Sequence, residues 1–204
     1  KLASRLDLIE PSPTIAISAR AAELKAQGKD IVGFGAGEPD FDTPAHIKAA
    51  AIEALNQGFT KYTAVSGIPE LKKAIIDKFK RDNQLDFQPN QIIISTGGKQ
   101  VLYNFFLSVL NNGDEVVCPA PYWVSYKDIV LLAGGTMKLM QTSFDAGFKI
   151  TPADIEKHVS NKTRVFILNS PSNPTGATYT PDEIRALAVA LEKFPDLLDR
   201  KSTR

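Results

Sequence analysis

Cysteine occurs once in the 204 residues, tryptophan once, and histidine and methionine twice each. A single thiol, Cys118, excludes an internal disulfide framework and fits a reducing compartment. Inside the apolar run DEVVCPA it reads as a small buried hydrophobe sooner than as a reactive group. No apolar run approaches the roughly 18 residues of a transmembrane helix, so no membrane partner is expected. The opening segment, KLASRLDLIEPSP, lacks the apolar core of a signal peptide, and a cytoplasmic location is the expectation. Neither sign of charge dominates: 24 lysines and arginines face 23 aspartates and glutamates, for a net charge of +1. That balance gives no drive toward nucleic acid. What is present is 43% hydrophobic and 23% charged residues, the composition of a globular protein with a sizeable core.

From about residue 90 the pattern is regular. QIIIST (91 to 96), DEVVCPA, TMKLMQT and RVFILNS read as short strands, and the segments between and after them have helical spacing. This alternation predicts an α/β fold, a mostly parallel sheet with helices on both faces, and the short apolar strands suit burial on both sides. Helix starts are marked at Thr43-Pro44, Thr151-Pro152 and Thr180-Pro181, each a capping hydroxyl before a proline, with Asp154 and Glu183 placed for capping boxes. The first 90 residues lack the rhythm. They predict a helix over TIAISARAAELKAQG, a short strand in DIVGFGAGEPDFDTP, and helices near 44 to 57 and 69 to 82. The expected division is an N-terminal arm with part of a small domain over 1–45, and part of a large domain over 46–204.

Three loops follow predicted strands. STGGKQ (95 to 100) carries paired glycines before a helix, where a tight turn and the positive helix end favour a phosphate. It matches neither the dinucleotide fingerprint nor the P-loop, so a single phosphomonoester is the candidate ligand. PAPYWVSY (119 to 126) carries Trp123, either a face for a flat heterocycle or a core residue packed on a helix. NSPSNPTG (169 to 176) holds Asn173 before Pro174, which restricts the backbone of Asn173. In an open parallel sheet such loops gather at the edge where ligands bind.

AGEPDFDTP, KYTAVSGIPELKKAI, STGGKQ, PYWVSY and NSPSNPTGATY occur in this order. Together they resemble the class I pyridoxal-phosphate-dependent aminotransferases of fold type I, most nearly the bacterial aspartate or aspartate/prephenate group, from about Pro11 to about Leu198. The resemblance implies pyridoxal 5'-phosphate as cofactor, amino acid and 2-oxo acid substrates, and a homodimer with shared active sites. It places Gly97, Gly98 and Lys99 at the phosphate cup, where many relatives have Ser or Thr in place of Lys99. Trp123 is placed on the pyridine ring, and Asn173 at the ring's phenolic oxygen and near the substrate carboxylate. Gly37 is placed at the substrate α-carboxylate, and Tyr62 at the phosphate of the neighbouring subunit's cofactor. Alone, Tyr62 would read as an exposed turn residue. Lys61, His46 and His158 receive no role and read as solvated surface, and no metal is expected. The resemblance also implies cis bonds at Ala120-Pro121 and Asn173-Pro174.

Other parts of the family pattern are not found in these residues. The family supplies a lysine that bonds the cofactor aldehyde, an aspartate beside the pyridine nitrogen and an arginine for the α-carboxylate, all after the asparagine loop. The tail DRKSTR is polar and does not resemble the family's continuation, and Asp199 is not assigned the aspartate's role. The expectation is therefore the N-terminal half of an aminotransferase, inactive by itself. The full-length reaction would be aspartate plus 2-oxoglutarate to oxaloacetate plus glutamate. Alternatives on the same scaffold are a prephenate or aromatic aminotransferase, a β-lyase, or a non-catalytic binding module.

Overall fold

A computed structural model describes residues 1–35 and 37–202, with the backbone alone for 198–202. In chain order it contains a 3-10 helix (Ser4–Leu8), α1 (Pro13–Ala26), α2 (Ala45–Asn56), α3 (Pro69–Asn83), a 3-10 turn (Pro89–Gln91) and α4 (Gly97–Val109). There follow β1 (Glu115–Ala120), α5 (Ser125–Leu132), β2 (Thr136–Gln141), α6 (Pro152–His158), β3 (Thr163–Asn169), α7 (Pro181–Leu191) and β4 (Leu198–Ser202). These form two compact units, one of residues 1–11 and 99–204, the other of residues 12–98.

In the first unit the strands make one sheet in the order β2-β1-β3-β4, every neighbouring pair parallel. Side chains alternate across a strand, and the two faces bury different sets. Val116 and Cys118 of β1 with Val165 and Ile167 of β3 pack against Leu102, Phe106 and Leu110 of α4 and Tyr126, Ile129 and Val130 of α5. On the other face Val117, Phe166 and Leu168 meet Met140, Ile155 of α6, and Leu187 and Ala190 of α7. The expected helices on both faces are therefore present, and β3 is apolar on both sides because both are covered. At the strands' amino ends Glu115 accepts from Ser160 Oγ at 3.0 Å and lies 3.6 Å from Lys138 Nζ.

The predicted capping boxes are built. Thr180 Oγ1 accepts from the Glu183 N–H at 3.2 Å, and Glu183 accepts in return from the Thr180 N–H at 2.7 Å. At α6 the Asp154 carboxylate accepts from both the N–H and the hydroxyl of Thr151, each at 2.8 Å. Three expectations fail. Pro44 is itself the cap of α2, its ψ of 140° placing it outside the helix, so Thr43 contributes no capping hydroxyl. Residues 92–95 form no strand, because a strand needs a ladder and the backbone bond seen here is Ile94 N–H to Ser66 C=O at 3.1 Å. The stretch predicted as a strand in DIVGFGAGEPDFDTP likewise has no strand among its described residues. Asp199 to Ser202 of the polar tail, which does not resemble the family's continuation, belong with Leu198 to β4, whose backbone pairs Leu198 with Val165 and Ser202 with Asn169.

The second unit is built from α1, α2 and α3, none of which holds a fully buried side chain. Gly67 lies against Ile94 at φ +103°, where an added Cβ would lie 2.2 Å from Ile94 Cγ1. Only glycine satisfies both the left-handed backbone and that close approach.

Candidate functional site

The carboxyl ends of β1, β2 and β3 lie along one edge of the parallel sheet, and the loops after β1 and β3 carry Trp123 and Asn173; the Gly97-Gly98 turn, expected to follow a strand, follows none. After β1, the Ala120-Pro121 bond is cis, as expected, and the chain turns into α5 through Tyr122 and Trp123. Trp123 takes the packing reading in part. It is half-buried against the cluster of α4, β1 and α5, and it meets Tyr126 edge to face with centroids 5.4 Å apart. The rest of the indole remains open, and the Lys99 ammonium lies 5.3 Å from its centroid, within cation–π reach. Lys99 stands in the first turn of α4 and is exposed.

Gly97 opens α4 at φ +79°, a conformation that favours glycine, and donates its N–H to the Ser95 carbonyl at 2.9 Å. A Cβ at Gly97 or Gly98 would meet nothing within 4 Å, so the space beside this turn is open. Helix N-termini carry a partial positive charge. Gly37 and Tyr62 belong to the second unit, where both are exposed.

After β3 the loop is tied in on itself. Asn169 Oδ1 accepts from the Asn173 N–H at 2.9 Å. The Ser172 N–H donates to Ala177 C=O, and the Gly176 N–H to Ser172 C=O, both at 2.9 Å. Ser170 Oγ accepts from the Tyr179 N–H at 3.2 Å, and the Tyr179 hydroxyl accepts from the Ile150 N–H at 3.0 Å. Asn173-Pro174 is cis, as expected, and Ser170-Pro171 is cis as well, which the sequence reading missed. Asn173, Asn169, Ser172 and Tyr179 line a crevice of about 20 Å³ with Tyr122 and Tyr126, the residues either side of Trp123's segment. That volume admits a water molecule but not an aromatic ring.

Burial pushes the Tyr122 phenol above its ordinary value, so it stays protonated near neutrality. His46 and Lys61 are exposed as expected. His158 is half-buried instead, its Nδ1–H donating to the Asp154 carbonyl at 2.8 Å. No cluster of metal ligands occurs among the described residues. No helix among them is long and apolar enough to cross a membrane.

A parallel sheet covered by helices on both faces, with these loops at its carboxyl edge, is the architecture of the fold-type-I aminotransferases. Residues 29–198 match the family model for aminotransferase class I and II. The chain belongs to that family. It is 56% identical over 198 residues to the aspartate/prephenate aminotransferase of Nitrosomonas europaea, a match covering 97% of this chain and 50% of the relative. The aspartate aminotransferase structure from Rhizobium meliloti is 44% identical with a TM-score of 0.94, covering 99% of this chain and 50% of that one. The Thermus thermophilus aspartate aminotransferase with maleate is 43% identical with a TM-score of 0.94, covering 98% and 52%. The chain thus spans about half the length of the relatives it matches.

The family implies pyridoxal 5'-phosphate, and the residues present fit it. A flat anionic heterocycle needs positive charge, open space for a phosphate and an aromatic face. Lys99 supplies the charge and the half-open indole of Trp123 the face, while the turn at Gly97 and Gly98, at the end of the second unit, has open space beside it.

Proposed function

We propose that the protein carrying these residues is an aspartate aminotransferase that uses pyridoxal 5'-phosphate, transferring the amino group of aspartate to 2-oxoglutarate. The observation that carries this reading is the Lys99 ammonium over the Trp123 indole at the start of α4. Gly97, Gly98 and Lys99 would hold the phosphate, Trp123 the ring face, and Asn173 the phenolic oxygen and the substrate carboxylate. Gly37 would offer backbone to the α-carboxylate. Tyr62 would serve the phosphate of the partner subunit in a homodimer, consistent with its full exposure in one chain. When bound, the cofactor supplies an electron sink for the bond broken at the substrate α-carbon.

Trp123 would also keep water from one side of the ring. The tied loop after β3 would hold the Asn173 amide, which can donate and accept at once, in one place. A four-carbon diacid as substrate is supported by the relatives' names and by maleate in the Thermus structure. Residues 1–45 would be the arm and part of the small domain, and 46–204 part of the large domain, in a cytoplasmic enzyme. Prephenate as amino acceptor is the second reading, favoured by the name of the Nitrosomonas relative.

The test is turnover by the purified full-length gene product loaded with pyridoxal phosphate. Oxaloacetate formed from aspartate and 2-oxoglutarate is the expected result. Turnover with prephenate and not 2-oxoglutarate would favour the second reading, and none with either acceptor would overturn both.

A further inference from the structure

We propose that Asn169 is the positioning residue for Asn173: its side-chain carbonyl, fixed at the end of β3, holds the Asn173 backbone in place. This rests on the reading that Asn173 touches the cofactor, and it adds a residue that the motif comparison left without a role.

Within the loop, few groups join Asn173 itself to the strand. Pro171 and Pro174 have no N–H to give. The Ser172 N–H is spent on Ala177, within the loop. The Asn173 N–H goes to Asn169 Oδ1 at 2.9 Å, and this is the bond that joins Asn173 to the strand. Among the described residues no hydrogen bond uses the Asn173 side-chain amide, which leaves that amide for a ligand.

The anchor is firm because of where Asn169 stands. It is the last residue of β3, which runs between β1 and β4, and its backbone is in register with Ser202. Leu168 and Ile167 before it are 6% and 0% exposed, in opposite clusters. Asn169 itself is half-buried in the wall of the crevice it shares with Asn173 and Tyr122. A side chain with its backbone so fixed loses little further freedom on making the bond.

The test uses the full-length gene product and reads cofactor affinity and the pH midpoint of the bound cofactor's visible absorption. Asn169→Ala is expected to weaken pyridoxal phosphate binding about fivefold, the scale of one neutral hydrogen bond. It should move the absorption midpoint in the same direction as Asn173→Ala, by less. Because Asn169 acts through Asn173, the double variant should behave as Asn173→Ala alone. Asn169→Asp keeps an oxygen at the same reach and should preserve protection of the Asn173 amide from hydrogen exchange. If Asn169→Ala does not fold, Asn169→Ser, too short to make the bond, takes its place. A shift in Asn173→Ala with none in the Asn169 variants overturns the positioning role and leaves the cofactor reading standing. No shift in Asn173→Ala removes the reading beneath it. Additive effects in the double variant, or an unprotected Asn173 amide in the wild type, also overturn the proposal.

Discussion

Burial decides the chemistry of Cys118. The thiol is 2% exposed on β1, and desolvation pushes its pKa up to about 12. Only the thiolate is nucleophilic, so the native protein should resist alkylation at neutral pH. Iodoacetamide labelling followed by mass spectrometry should find Cys118 modified at least ~100-fold more slowly than in urea, and equal rates would contradict its burial. The sequence reading of this residue was sound because a cysteine among valines has no charged neighbour to activate it. Trp123 was legible only as a choice between packing and ligand contact. The structure shows the packing half of that choice: the indole is half-buried, with Tyr126 on it and Lys99 beside it. Asn169 stood in plain view as the first letter of its motif. Its signal was the spacing of two asparagines four apart, which suggests a contact only once the strand is known to end at the first.

Among elements, α7 shows how a local signal becomes a tertiary one. Its capping Glu183 also accepts two hydrogen bonds from Lys149, at 2.8 and 2.9 Å, tying α7 to the connection after β2. The Lys149 ammonium, then the Thr180 N–H, hold the Glu183 carboxyl below its ordinary 4.5. A folded value below the unfolded one means the carboxylate binds a proton less readily in the native state. Its contribution to stability is full above 4.5 and is lost as pH falls through the folded value. Glu183→Gln should therefore lower Tm at pH 7, with the difference from wild type closing as the pH falls below 4.5 and through the folded value. A Tm difference that does not change with pH would remove the ionic part of this account. The capping boxes at Thr151 and Thr180 were legible because they are local, whereas the one expected at Thr43 failed where Pro44 took the cap. The apolar stretch at 91–96 misled for the opposite reason. Its β-branched residues favour an extended backbone, but a strand exists only beside a partner, and pairing is not written in local sequence.

For the molecule as a whole, alternation of strand and helix was enough to read the layered sheet and its two covered faces. The strand order, with β1 and β3 adjacent and β2 outside them, follows from a crossover past β1 that no segment announces. The polar stretch from Asp199 to Ser202 gave no apolar cue, yet its backbone lies in β4. The family resemblance implies that the lysine bonding the cofactor lies outside these 204 residues, and on that reading a purified polypeptide of these residues alone should not transaminate. A coupled assay with aspartate and 2-oxoglutarate should match a heat-killed control, and turnover above it would show the missing groups to be dispensable.

β3 has a consequence beyond placing a loop. It runs between β1 and β4, fills both apolar clusters with alternate side chains, and ends at Asn169. A ligand gripped at that end binds a state that exists only while both clusters are intact, so occupancy and global folding become one equilibrium. By mass action, a ligand at one hundred times its dissociation constant would add about 2.7 kcal/mol to the stability of the sheet. The added resistance to melting would be shared by α5 on one side and α7 on the other, although only one edge is touched.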